Sequence, residues 1–403
     1  MILSLKKQVS DFRRKLRVFV ENFFILLPSG KVKANQNLIA LWTAPRITNN
    51  VGDRALTEGG MALVPAENLV LICRDGEEYA EQLAKLFLFP QIAEAGKFTD
   101  FIKYVRKFKR EIGSCSAVLI VGADIMDGKY GDRTSVLRWN LARWLASKSV
   151  ATSLFSMSWN AQPTPAALIA AKAASKAGVK IFARDEISLG RLRNDGLIAE
   201  FASDVSFLRR DQVEPDSVVV AHFAKSTKKV LVNVSDWVTD NHEMFEGLVE
   251  SLKSLPSDYE LIYIPMVHYG ANTDTAACEK LSNSVPGWIL PKLPTPAELR
   301  WMAARSEFSI SARMHCCLIG FAVGLPSIGL EYQGKFKGAF QTFGMERLAI
   351  LPEEFATTFP AAFAEVRSSS GELRALITSK IAEIAISSQA PIDYAKSTMN
   401  LAD

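Results

Sequence analysis

Short, wholly apolar runs alternate along this chain with longer segments whose apolar positions recur at helical spacing. "LIALWTA", "LVLICR", "SAVLIVG", "ATSLFSMSW" and "VKIFAR" read as strands, with helices predicted over residues 55–63, 77–87, 134–147 and 166–177. After residue 227 the same grammar returns. "KVLVNVS", "YELIYIPMV", "GWILPKL", "EFSISA" and "PSIGLEY" are separated by predicted helices over residues 243–255, 275–281 and 297–305, and by one starting at Met314. Strands that are apolar throughout are covered on both faces, and strands that alternate with helices make parallel sheets. The expected fold is α/β, with two doubly wound, Rossmann-like domains in tandem. Residues 38–215 make the first, and residues 216–403 make the second with a helical tail.

Residues 1–37 stand apart as a basic amphipathic arm. Leu5, Val9, Phe12, Leu16, Phe19 and Phe23 recur at helical spacing with cations between them. Lys6, Lys7, Arg13, Arg14, Lys15, Arg17, Lys31 and Lys33 face only Asp11 and Glu21, so residues 1–33 hold +6 of a chain that totals +4. The remainder is slightly acidic, which disfavours a nucleic-acid binder, because that function needs a basic face on the folded body. Two readings of the arm stay open: contact with an anionic membrane surface through residues 1–33, or packing on the protein's own body or a partner. No run of about 18 uncharged apolar residues spans a bilayer. "FVENFFILLPSG" is broken by Glu21 and Asn22 and lacks a cleavage site. The five cysteines are odd in number and form no CxxC pair, so zinc-ribbon and disulfide-framework readings fail and a reducing cytoplasm is expected.

Ligands of doubly wound sheets bind beyond the carboxyl ends of the strands, so the polar residues just past each strand are the candidates. "TNNVGDRA" offers Asn50 and Gly52 for a turn and Asp53 as cap of the next helix. "AVLIVGADIMDG" gives Asp124 and Asp127, "SLFSMSWN" gives Ser158 and Asn160, and "VKIFARDEIS" gives Arg184, Asp185 and Ser188. In the second half His268, Asp274, Arg313, His315, Tyr332 and Lys335 fall at such ends. Two arginines, two histidines and a lysine suit an anionic ligand. Neither a Walker A loop nor GxGxxG is present, and no histidine pair has metal-ligand spacing. Taken alone, Asp53 reads more simply as a helix cap, Arg184–Asp185 as a surface ion pair, His268 as a satisfied strand-end histidine, and Cys316 and Cys317 as small buried residues. Arg313 and His315 differ. A strand-to-helix turn exposes both side chains where ligands sit.

"NVGDRA", then "ARDEISLGRLRNDG" with "SDVSF", then "SARMHCCLIGFAVGLPSIGLEYQGKFKGAFQTFG" resemble, in order, motifs of the polysaccharide pyruvyl transferases. The last combines S-x-R-x-H, G-x-P and Y-x-x-K. The resemblance implies a GT-B-like architecture and transfer of the pyruvyl group of phosphoenolpyruvate to sugar hydroxyls, usually as a ketal. Phosphoenolpyruvate is then the donor substrate, and no metal or cofactor is implied. Arg184 and Arg313 are assigned to the donor's phosphate and carboxylate, which suit the guanidinium fork, and Lys335 to a further anion contact. His315 becomes the general acid/base, and Asp53 joins it in positioning acceptor or donor. Asn50, His268 and Tyr332 complete the candidate set. The implied acceptor is a polysaccharide, such as an exopolysaccharide, or its lipid-linked precursor. The implied place is the cytoplasm at the inner face of the membrane. Acceptor identity and oligomeric state, including a homo-oligomer, stay open. A glycine triplet common after the family's third strand is here "VGADIMDG", and residues 1–37 and 346–403 lie outside the resemblance. The rival enzyme is a GT-B glycosyltransferase using a nucleotide sugar, with Glu331 on the ribose; the non-enzymatic rival is a glycan-assembly scaffold.

Overall fold

The computed structural model of the chain describes residues 20–21, 24–26, 35–44, 47–89, 98–269, 272–331 and 334–399. Strands β1 (Asn35–Trp42), β2 (Leu69–Cys73), β3 (Lys85–Leu88), β4 (Cys115–Ala123), β5 (Ala151–Met157), β6 (Lys180–Ala183) and β7 (Glu200–Phe201) form one sheet, ordered β3-β2-β1-β4-β5-β6-β7. After β8 (Lys228–Asn233) and β9 (Tyr259–Tyr263) comes a small hairpin, β10 (His268–Tyr269) with β11 (Asn272–Thr273). Then β12 (Trp288–Ile289), β13 (Phe308–Ser311), β14 (Ser327–Leu330) and β15 (Ala349–Ile350) complete a second sheet, ordered β12-β9-β8-β13-β14-β15. All pairings within the two large sheets are parallel. Strand order reverses between β1 and β4 in one sheet and between β8 and β13 in the other. Such switch points open a crevice for ligands.

In the first domain, α1 (Val51–Met61), α2 (Phe98–Glu111), α3 (Asp132–Ala146), α4 (Pro165–Lys176) and α5 (Glu186–Asn194) surround the sheet. Strand β1 shows why its second half, Leu38–Trp42, is apolar throughout. Ala40 and Trp42 bury with Phe101, Trp139 and Ala171 on one side, while Ile39 and Leu41 bury with Leu56 and Val205 on the other. The second domain is built from α6 (Ser217–Phe223), α7 (Asp236–Thr239), α8 (His242–Lys253), α9 (Asp274–Ser284), α10 (Pro296–Ala303), α11 (Met314–Phe321), α12 (Phe336–Gln341), α13 (Phe355–Ser368) and α14 (Ser370–Ser387).

Several local expectations change. The helix predicted over 77–87 is a short 3-10 turn, Glu77–Gln82, followed by edge strand β3, so its apolar positions straddle an element boundary. Helix α2, which the apolar spacing does not predict, buries Phe101, Val105 and Phe108 at helical spacing, with Ile112 buried just past its end. The tail does not end with the second domain. Its last helix, α15 (Ala390–Met399), crosses back, and Ile392 and Ala395 bury in the first domain's core.

Of the N-terminal arm, residues 20–21 and 24–26 are helical and pack on the protein's own body. Ile25 is buried with Phe101 and Phe108. Arg133 donates to the Glu21 carboxylate from Nε and Nη2 at 2.9 and 2.7 Å, and Lys109 Nζ donates to Phe24 O at 3.3 Å. The rest of the arm lies outside the described residues. Among those described, no helix is long and apolar enough to cross a membrane.

Helix α1 joins the two domains. Val51 and Ala55 bury with Ile264, Met266, Cys316 and Ile319 of the second domain. One turn on, Gly59 meets the turn after β7: a Cβ there would lie 2.1 Å from Val205 O. Backbone cannot yield as a side chain can, so Gly59→Ala should lower stability by about 1–3 kcal/mol through overpacking. Gly60→Ala, which meets only the Leu41 side chain at 3.0 Å, should cost clearly less. Urea midpoints at unchanged m-value decide this.

Candidate active site

The two switch points face each other, and the loops leaving β1 and β9 are sewn together by backbone bonds. Val51 N donates to Met266 O and His268 N to Asn49 O, both at 3.0 Å. Asn50, not Asp53, caps α1: its Oδ1 accepts from Gly52 N at 3.0 Å and Asp53 N at 3.2 Å. Asp53 sits in the first turn. Its charge acts on buried Arg138, whose guanidinium burial lowers to about 10 while Asp53 pulls the other way. The His268 side chain is exposed, and its backbone makes the interdomain contact.

Gly52 has a steric reason to be glycine. A Cβ there would stand 2.9–3.0 Å from the His315 ring, so the missing methyl lets the imidazole rest on the first turn of α1. On its other side, His315 Nε2 lies 3.6 Å from Asp204 Oδ2. That is ion-pair distance rather than a hydrogen bond, and Nε2 has no hydrogen-bond partner among the described residues. The same Oδ2 accepts from Arg184 Nη1 at 3.1 Å, and Oδ1 accepts from Ser206 N at 3.0 Å. Arg184 Nε donates to Ser158 Oγ at 2.9 Å. Its Nη2 has no hydrogen-bond partner among the described residues. Arg184 and Asp204 are 4% and 3% exposed, whereas the His315 side chain keeps 14%, although its Nε2 is buried. Burial pushes the Asp204 carboxyl up, but His315 and then Arg184 outweigh it and hold it well below the usual carboxylate range.

Arg313, beside the start of α11, is gripped by a different aspartate. Its Nε donates to Asp274 Oδ1 and Oδ2 at 3.2 and 3.3 Å, and Nη2 to Oδ1 at 2.7 Å. Asp274 is buried and also accepts from Met266 N and Asn233 Nδ2. Lys335 crosses from the second domain to bind Asp124 and, at 3.3 Å, Tyr130 Oη. Burial raises the Asp124 carboxyl, but Lys335 and Arg184 reverse this and bring it to about 2. At Ala123, just before Asp124, the chain turns through a left-handed conformation, φ 46°. Each predicted donor cation is therefore already held by an aspartate. Tyr332 lies outside the described residues.

Other polar residues have structural posts. Asp185 caps α5, accepting from Ser188 N at 2.7 Å. Glu331 is fully buried and accepts from Phe336 N and Lys337 N at 2.6 and 3.1 Å, so it caps α12 and does not face a ribose. Burial pushes the Cys316 thiol up to about 12, out of nucleophile range. The residue that sequence reasoning missed is Asp204. It lay within "SDVSF", but β7 before it is two residues long and gave no strand signal.

The two depressed carboxylates fix a sign for acid stability. Their folded values lie below the unfolded reference of about 3.9, so their stabilisation is complete above that pH and drains as pH falls toward the folded values. Denaturant midpoints should thus drop from pH 5 to pH 3. Asp204→Asn should lose about 3–5 kcal/mol at pH 7, by leaving Arg184 buried and unpaired, and the deficit should shrink in acid. A deficit constant with pH would assign the loss to packing instead.

A family model described as polysaccharide pyruvyl transferase matches residues 50–334. Among solved structures, the chain is similar to a putative UDP-N-acetylglucosamine 2-epimerase from Listeria monocytogenes (TM-score 0.61, 12% identity, 91% of this chain and 98% of that one). It is also similar to a UDP-GlcNAc 2-epimerase from Neisseria meningitidis bound to UDP-GlcNAc (0.58, 11%, 89% and 99%). A third is a glycosyltransferase from Rickettsia africae ESF-5 (0.57, 12%, 91% and 100%). No curated protein matches in sequence. At these identities the structural likeness is one of fold, and it is the GT-B arrangement of two parallel-sheet domains about a cleft. The family match runs from the cap of α1 through the Arg184, Asp204 and His315 segments almost to Lys335, and by it the chain belongs to the polysaccharide pyruvyl transferase family.

Proposed function

We propose that this family member transfers the pyruvyl group of phosphoenolpyruvate to two hydroxyls of a glycan, giving a cyclic ketal. The observation that carries the reading is the chain Arg184–Asp204–His315. It brings a guanidinium and an imidazole from opposite domains onto one buried carboxylate at the facing switch points. An acid/base group beside fixed cations is what an enol phosphate with a carboxylate requires.

In this mechanism Arg184 and Arg313 hold the phosphate and carboxylate, and Lys335 adds a third cation. His315 delivers a proton to the methylene carbon, leaving an oxocarbenium centre at C2. One sugar hydroxyl attacks and releases its proton, which restores the proton spent. The C–O bond to phosphate then breaks, and the second hydroxyl closes the ketal while its proton leaves with phosphate. Asp204 holds the ring and stabilises its cationic form. Asp53 acts through the first turn of α1. The enzyme is expected to work in the cytoplasm on a glycan or its lipid-linked precursor. The nucleotide-sugar reading loses its ribose ligand, because Glu331 is spent on the α12 backbone.

Two experiments test this. Phosphate release from phosphoenolpyruvate is measured with a panel of free and lipid-linked glycans. Release that needs a glycan, and that His315→Ala lowers by about 10²–10⁴-fold, is expected. Thermal stabilisation by a nucleotide sugar and not by phosphoenolpyruvate would turn the assignment to glycosyl transfer. Gly52→Ala tests the ring's seat: displacing the imidazole by an ångström should cost about 10²-fold in kcat, with the donor's KM little changed. Full activity would show that the seat is not needed.

A further inference from the structure

A pocket beside the donor cations is not used by the reaction described above. Lys129 and Tyr130 follow β4, Asn160 follows β5, Arg191 reaches in from α5, and Gly334 and Lys335 close it from the second domain. It adjoins the donor groups without containing them. Ser158, which also lines it, accepts from Arg184 Nε at 2.9 Å, while Arg184, Arg313 and His315 lie outside its lining.

Arg191 has donors to spare. Its Nη1 donates to Trp159 O at 3.0 Å, and among the described residues it makes no other hydrogen bond. A guanidinium carries five N–H donors, so Nε and Nη2 remain for a ligand. A Cβ at Gly334 would stand 3.7 Å from Arg191 Nη2, so the loop of the second domain passes beside that nitrogen. No carboxylate lies at ion-pair distance from Arg191 among the described residues, although its charge reaches Asp185, whose carboxyl burial pushes up. Lys129 is exposed at the rim and also forms no ion pair among the described residues. The acidic members of the lining are spent. Asp127 Oδ1 and Oδ2 accept from Lys129 N and Asn160 N at 2.9 and 3.2 Å, and Asp124 is bound by Lys335. Arg191 and Lys129 therefore set the sign of the pocket, and a guanidinium edge suits a carboxylate or a phosphate. Beside them, Asn160 Nδ2 has no hydrogen-bond partner among the described residues, and Tyr130 is 53% exposed. An aromatic surface with a few directed polar groups is a mixture that takes a sugar ring.

We infer that this pocket takes the acceptor, and that Arg191 with Lys129 binds a carboxylate or phosphate carried by the glycan. The role as acceptor site rests on the reaction proposed above; the affinity for a charged sugar does not.

The test has two parts. Equilibrium binding of glucuronate, glucose 1-phosphate and glucose to the full chain is measured first, with and without excess phosphoenolpyruvate. Glucuronate or glucose 1-phosphate is expected to bind at least tenfold tighter than glucose, undisturbed by phosphoenolpyruvate, and the better of the two tells carboxylate from phosphate. Arg191→Gln and Lys129→Gln should each reduce that preference, and Arg191→Lys, which keeps the charge and loses the fork, should restore part of it. Equal binding or no binding of the three sugars, or displacement of the charged ones by phosphoenolpyruvate, overturns the proposal. Phosphate release is then measured with glycans bearing a uronate or a phosphate. Arg191→Gln should raise the acceptor KM at least tenfold, while kcat and the donor KM move far less. An unchanged acceptor KM overturns the pocket's role and leaves the reaction standing. Charged-sugar binding that depends on Arg191, with no glycan eliciting release, removes the reaction and retains the charged-sugar site.

Discussion

The structure around the cleft depends on one buried carboxylate. Asp204 accepts from Arg184 of its own domain and faces His315 of the other, and its backbone is held from a third direction. Ser388 Oγ donates to Asp204 O at 3.0 Å, and Val205 N donates to Ser156 Oγ at 3.0 Å. A carboxylate taken out of water is costly unless its cations and hydrogen bonds are in place. All of these contacts must therefore form together. That requirement couples the turn after β7, the start of α11 and the return of the tail through α15. The pairing of domains is thus not set by apolar burial alone, which is non-directional, but by the need to satisfy this charge from both sides.

Glycine and asparagine make the coupling sterically feasible. Asn50 satisfies the first amides of α1, so the helix can begin at the interface without orphaned donors. Gly52 then removes the one side chain that would keep His315 away, and Gly59 does the same where α1 meets the turn carrying Asp204. The motif "NVGDRA" reads from sequence as a ligand loop. In the folded chain it is a spacer that sets how closely two domains approach. Its effect on chemistry passes through the position of the imidazole.

The fold class was legible because β1, β2, β4 and β5 are buried on both faces over most of their length and so leave predominantly apolar runs. Helix α2 and strands β3 and β7 were not. Strands β3 and β7 are short edge strands, and the apolar residues of α2 are spaced widely among cations, so its segment reads as polar. Within the site, Arg184, Arg313, His315 and Lys335 could be found because each lies just past the carboxyl end of an apolar run. Their aspartate partners could not be assigned in the same way. Asp124, Asp204 and Asp274 lie 211, 111 and 39 positions from their partners Lys335, His315 and Arg313, and pairings at such separations are made by topology, not by local spacing.

Those pairings change what the cationic residues can do. An unpaired cluster of three cations, Arg184, Arg313 and Lys335, would repel itself. Paired with three carboxylates, the cluster is close to neutral and can remain in place before any anion arrives. An entering phosphate or carboxylate does not have to gather flexible side chains, because Arg184 and Arg313 are already fixed by two or more hydrogen bonds each. The cost is weaker attraction at long range, since each cation's field is partly cancelled by its aspartate. Recognition then relies on short-range geometry, where a fixed guanidinium edge discriminates among anions better than a mobile charge does. Such an arrangement favours discrimination between anions by shape over the concentration of anions in general.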